Sequence, residues 1–271
     1  MNYINNRLFN NGATPVLTGS FMQGERHESV SDKFKPTSAA MVAQVMADHG
    51  LELKALKSGN ARLDTYADFQ RTISTFINPN TEIVSGVKPT IIFKNNHLGR
   101  GQSEVIFGLY RLVCSNGLMV CVPGLDITRK IRHNGDTYIN LDNAVREVLQ
   151  MSAQVTEIVQ KMQLTTLDAT GAQRLIDAAL KLLVPVNAVN VRHTLSRIQR
   201  DADKSPDLFT IFNVIQENAM QGRIAYDIVT TDENQVNNVR HMTVRKIKLN
   251  SEKDLNFNQE FFSAAAQLIA A

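Results

Sequence analysis

Tryptophan is absent from this chain and aromatic residues make up only 6% of it, which weighs against a single-strand binder that works by stacking bases on exposed rings. Cysteine is nearly absent as well. Cys114 and Cys121 are the two present. They lack the density of a secreted disulfide scaffold and the paired spacing of a zinc site, and their apolar surroundings make them reduced core residues. No stretch reaches the ~18 uninterrupted apolar residues of a membrane span, and the opening Met1–Arg7 has no apolar signal core. The expectation is a protein that is neither exported nor membrane-embedded, placed in the cytoplasm. Walker loops, dinucleotide fingerprints and nucleophile elbows are missing too. None of His27, His49, His97, His133, His193 and His241 has a second His or a Cys at ligand spacing, so no metal and no cofactor is expected. The run His27-Glu28-Ser29 holds a base, an acid and a hydroxyl, but three adjacent residues rarely converge on one point. No catalytic residue is nominated and the chain is expected not to be an enzyme.

What is present is an ordinary globular composition: 271 residues, 43% hydrophobic and 20% charged, enough for one large core or two modest ones. A net charge of +3 with a pI near 8.8 is too mild to argue for a polyanionic partner on whole-chain charge. Only a local patch can carry that claim.

The pattern along the chain indicates an α+β fold with a strand-rich N-terminal half around a β-hairpin core and a mainly helical C-terminal half. Residues 1–35 read as an irregular arm, 36–139 as an α+β domain, and 140–271 as a mainly helical region with a basic strand near 239–249. Ser38 starts a helix carrying Met41, Val42, Val45 and Met46, which Gly50 stops. Leu51 to Ala55 and Phe69 to Phe76 form short extended segments. Asn116-Gly117 between apolar runs signals a tight hairpin that pairs Cys114 with Met119; the competing reading makes Leu109–Ser115 a short helix ended by the same two residues. Leu141, Val145, Val148, Val155, Val159 and Met162 trace the seam of one long helix, with polar Ser152 interrupting it. Thr170 and Ser205-Pro206 open two further helices, Val191–Arg200 reads as a shorter one, and residues 250–271 close the chain with another.

Two basic concentrations stand out. Between Lys88 and His133 lie seven Lys or Arg, including Lys94, Arg100, Arg111, Arg129, Lys130 and Arg132, against Glu104 and Asp126 alone. The loop Asn95–Gly101 adds Asn96 and His97 as hydrogen-bonding neighbours, residue types that suit phosphates and base edges. Lysines on a strand edge also serve simply to block edge pairing. The second strip runs from Arg240 to Lys248 and interleaves Arg240, Arg245, Lys246 and Lys248 with apolar residues, as on a half-exposed strand. In a third group, Arg192, Arg197 and Arg200, the adjacent Asp201 and Asp203 offer internal partners.

The block Asn95-Asn96-His97 with Gly99, followed by Gly108-Leu109-Tyr110-Arg111-Leu112-Val113-Cys114-Ser115-Asn116-Gly117-Leu118, resembles the signature of the YafZ and YfjQ type family. Fainter echoes lie at His27–Ser31 and at Ile215–Asn218 with Gly222. Leu98 stands where that family carries an acid. The resemblance implies a phage, prophage or plasmid setting, hence the cytoplasm of an infected or lysogenic bacterial host, and carries no reaction with it. The leading expectation is a non-enzymatic protein of a mobile element that binds single-stranded DNA or RNA in recombination, replication or transcript handling, through phosphate contacts. The alternative is a protein-interaction factor that engages a host or phage protein through the heptad seam. A homo-oligomer is open through that same seam.

Overall fold

The computed structural model describes residues 24–58, 64–82, 87–99, 101–111, 117–119, 128–231, 237–248 and 251–269. The chain divides into two compact units, residues 1–119 with 126–154, and 120–125 with 155–271. The fold is α+β, strand-rich in its first half and mainly helical in its second.

In the first unit, Ser38 caps helix α1 (Ala39–Asp48) by accepting the Met41 N–H at 3.1 Å, and Val42, Val45 and Met46 form its buried stripe. Strands β1 (Glu52–Ser58), β2 (Thr72–Ile77), β3 (Val87–Asn95) and β4 (Ser103–Arg111) follow in spatial order as an antiparallel sheet. Phe69 falls in a 3₁₀ turn (Asp64–Phe69) between β1 and β2, not in a strand. β3 is buried along nearly its whole length, and Ile91, Phe93, Val105, Phe107 and Leu109 form the centre of the core. Beyond β4 the sheet divides: β5 (Gly117–Met119) pairs with Gly108–Tyr110, while β6 (Thr128–Ile131) pairs with Ser103–Ile106. Helix α2 (Thr137–Gln150), capped by Asp136 through the N–H groups of Tyr138 and Ile139, packs Leu141, Val145 and Val148 against this sheet and α1.

Two local expectations are corrected here. Residues from Leu109 to Arg111 belong to a strand, and Met119 pairs with Gly108, not with Cys114. The ladder therefore ends at Tyr110 opposite Gly117, a register that a two-residue Asn116-Gly117 turn would not produce; residues 112–116 themselves lie outside the described residues. The long heptad helix is interrupted at Met151, between α2 and α3 (Ser152–Leu164), where the polar seam position Ser152 falls. All six apolar seam residues are fully buried, so the seam is core and offers no free docking face.

The second unit is organised around α5 (Leu208–Met220), of whose residues all but Ile211 are buried. Phe212 stacks on Phe261 of α6 (Glu252–Gln267) at 4.7 Å and meets Phe262 edge-on at 5.7 Å. Helix α4 (Ala169–Leu183) starts on Asp168 and α5 on Asp207, each carboxylate accepting the N–H three residues on. Both caps lie near but not on the expected Thr170 and Ser205. The expected helix over Val191–Arg200 is also overturned. β7 (Ala188–His193) pairs there with β8 (Ile224–Thr231), and β9 (Asn237–Thr243) completes a three-stranded antiparallel sheet. Val189 and Val191 alternate with polar neighbours and β8 supplies a ladder, so strand pairing outweighs the weak helical spacing.

The basic strip is strand only to Thr243. Past it, Val244 donates to the Ile224 carbonyl at 2.9 Å and Ile247 to the Met220 carbonyl at 2.8 Å, wrapping the strip over Gly222. Gly222 has φ +73°, and a Cβ there would run into the Val244 carbonyl oxygen and lie 3.0 Å from the Lys246 nitrogen. Gly222→Ala is therefore expected to cost about 2 kcal/mol or more, read as a lower urea midpoint, while an exposed control such as Lys248→Ala stays near wild type.

Candidate functional site

The loop that joins β3 to β4 is tied inward by one amide. Asn95 Nδ2 donates to the Thr37 carbonyl at 2.8 Å and to His97 Nε2 at 3.0 Å, while its Oδ1 accepts the Asn96 N–H at 3.0 Å and the Ser103 hydroxyl at 2.9 Å. His97 therefore presents Nε2 as an acceptor. Ser103 Oγ also meets His133 Nε2 at 2.9 Å, and His133 Nδ1 faces the Lys35 carbonyl at 3.2 Å. With the serine proton on Asn95, the neutral His133 ring has one proton fewer than its two contacts can use. Burial, with a smaller contribution from His133, lowers the His97 pKa to about 4. Burial lowers His133 as well, against the opposing effect of the Lys35 carbonyl. Phe34 stacks on His133 at 4.5 Å, and Gly99, at φ +64°, lets Val30 and Phe34 close over the loop. The cluster works as a clasp that fastens residues 30–37 to the sheet.

The sequence-nominated residues separate accordingly. Asn96 and His97 are buried, and the Asn96 side chain accepts from the Leu98 N–H. Lys94 pairs with Glu104 at 3.0 Å and Arg129 with Glu147 at 2.5 Å. Arg100 lies outside the described residues, and Arg111 closes β4 opposite Val87. Lys130 and Arg132 are exposed. In the second unit Arg240, Arg245, Lys246 and Lys248 are all exposed. None of these six cations makes an ion pair or hydrogen bond among the described residues. Arg200 differs: it holds Glu217 with two bonds of 2.7 Å and Asp203 at 3.2 Å, absorbing its charge internally.

One further cluster is assembled by the fold from residues far apart in sequence. Asp227, in the middle of β8, accepts from Arg192 at 3.0 and 3.3 Å, from Asn190 at 3.1 Å, and from His241 Nδ1 at 2.7 Å. Hydrogen bonds from Arg192 and then His241 hold its carboxyl far below the usual carboxylate range. A lone acid within the apolar run Ile224–Val229 was the available signal. Among the described residues no group of three or more His, Cys, Asp or Glu side chains is placed to hold a metal ion.

A family model described as "Domain of unknown function (DUF932)" matches residues 26–256, spanning both units. The chain belongs to this DUF932 family. The chain is also similar to the UPF0380 proteins YafZ and YfjQ of Escherichia coli (strain K12), each 34% identical over 140 residues, or 51% of this chain and 50% of the relative. The chain thus spans about half the length of the curated relatives it matches. No solved structure matches this DUF932 chain. No helix among the described residues is long and apolar enough to cross a membrane.

Proposed function

We propose that this protein is a non-enzymatic binder of single-stranded nucleic acid, serving a phage or other mobile element in recombination, replication or transcript handling within the host cytoplasm. The observation that carries the reading is the set of exposed cations without partners among the described residues: Arg240, Arg245, Lys246 and Lys248 in one unit, Lys130 and Arg132 in the other. A cation already held by a carboxylate gains little from a phosphate, whereas an unpartnered one releases condensed counterions when it binds. The Arg245–Lys248 stretch is also fixed in place. Its backbone is pinned by the Val244 and Ile247 hydrogen bonds, and the Val244 and Ile247 side chains are buried while the cations point outward.

Binding of labelled single-stranded DNA and RNA, followed by fluorescence anisotropy, is expected to weaken steeply between roughly 50 and 200 mM salt. Replacing Arg245, Lys246 and Lys248 together with Ala should flatten the salt slope by about one unit for each phosphate contact removed. Replacing Lys94, already paired with Glu104, should leave it unchanged. Absence of binding at the lower salt overturns the reading.

A further inference from the structure

The outward face of the β7–β8–β9 sheet carries a polar site that the cationic strip does not account for. Register places Val189 and His241 directly opposite Asp227 from the two sides, Arg192 opposite Ala225, and Val239 opposite Val229. Directly opposed residues share a face, so Arg192, Asp227 and His241 sit together among half-exposed valines. The carboxylate at the centre is only 4% exposed, while the two side chains that hold it remain open, Arg192 at 56% and His241 at 77%. A break in the β7 register between Val189 and Arg192 puts Asn190 at φ +50°, a conformation that costs a non-glycine residue, and from there its amide reaches the same carboxylate. Strain of this kind persists where the surroundings impose one arrangement, and it is enriched at ligand sites.

The chemistry of the cluster selects a ligand. A buried carboxylate needs its charge matched, and Arg192 alone does that with two N–H groups. His241 is not needed for neutralisation. With Nδ1–H given to Asp227, its Nε2 becomes an oriented acceptor facing solvent. Arg192 keeps three of its five N–H groups for an anion. The face therefore offers an acceptor beside a cation, which suits a donor beside an anion. In a nucleic acid, the donor that accompanies every phosphate whatever the sequence is the ribose 2′-hydroxyl, which DNA lacks.

We propose that this face binds the ribose-phosphate backbone of single-stranded RNA, His241 Nε2 accepting the 2′-hydroxyl and Arg192 donating to the adjacent phosphate, so that the protein prefers RNA over DNA. The proposal rests on the nucleic-acid reading above and adds the polymer to it. Its structural setting is rigid: the cluster spans three paired strands, and Tyr226 and Ile224 anchor the sheet from its other face.

The test measures anisotropy of the full chain with RNA, DNA and 2′-O-methyl RNA of one sequence at ~50 mM salt. RNA should bind roughly threefold to tenfold more tightly than DNA, the range expected of a single added hydrogen bond, and 2′-O-methyl RNA, which has lost the donor, should fall to the DNA level. His241→Ala should erase the RNA advantage and leave DNA affinity unchanged; because this side chain is exposed, the variant should fold. Asp227→Asn should also lower the RNA advantage, and His241→Gln, which retains an acceptor, should restore part of it. Equal affinity for RNA and DNA, or an RNA preference that survives His241→Ala, overturns this proposal while leaving nucleic-acid binding intact. Failure of all three polymers to bind overturns both.

Discussion

Lowering the pH from 7 to about 4.5 is expected to weaken the first unit by roughly 2–3 kcal/mol through His97 alone. The ring is 1% exposed and its pKa is lowered to about 4, chiefly by burial, whereas in the unfolded chain it titrates near its ordinary 6.5. Between those two values the unfolded state binds the proton and the folded state does not, so stability is full above pH 6.5 and falls as the pH drops toward 4. His133 is lowered too and adds in the same direction. Hydrogen exchange of the β3 and β4 amides, corrected for intrinsic rates, should lose protection across this window. His97→Gln, whose carbonyl can still accept from Asn95, should flatten the profile. A pH-independent protection factor in the wild-type chain would contradict the burial argument.

Arg200→Ala should destabilise the second unit by about 2–3 kcal/mol. Breaking a fully buried ion pair typically costs ~3–5 kcal/mol, because the remaining charge stays out of water. Arg200 itself keeps 30% exposure, so the lower range applies, but Glu217 is only 9% exposed and loses two hydrogen bonds of 2.7 Å. Arg200→Lys should recover only part of the loss, since an ammonium cannot reproduce the two-pronged contact. Replacing the pair together by Met and Leu should recover part of this loss, the remainder being the contact that buried Asp203 loses with Arg200. Urea denaturation of the three variants separates these outcomes, and a double variant as unstable as the single one would show that the pair acts through packing.

Local signals with a single physical cause were legible. Ser38, Gly50 and the stripe of Val42, Val45 and Met46 mark α1 because capping, left-handed termination and 3.6-residue periodicity all act within one turn. Asp201 and Asp203 offer Arg200 nearby partners in the sequence, and Asp203 is one of them, but the strongest, Glu217, is distant in sequence and is set by the fold. The misreadings share a form. Val191–Arg200 has helical spacing, yet β8 offers a ladder to its first residues, through His193, and which strand will be available is a long-range fact. Asn116-Gly117 suggested a two-residue turn, while the register of β5 is set by its pairing with Gly108–Tyr110. In the candidate site, Asn96 and His97 looked like free loop donors because composition cannot show that Asn95 turns its neighbours inward. Asp227 went unnoticed because its partners, Asn190, Arg192 and His241, come from two other strands.

The divided edge of the first sheet bears on how the protein behaves at high concentration. A nine-residue strand left bare would be a template on which another chain could zip residue by residue. Here β4 is covered in series by a three-residue strand and a four-residue strand, and the second presents Lys130 outward. An incoming strand would meet a run too short to hold it and a charge it would have to bury. Among the described residues, that side of the sheet therefore ends in two short strands and not in one long edge.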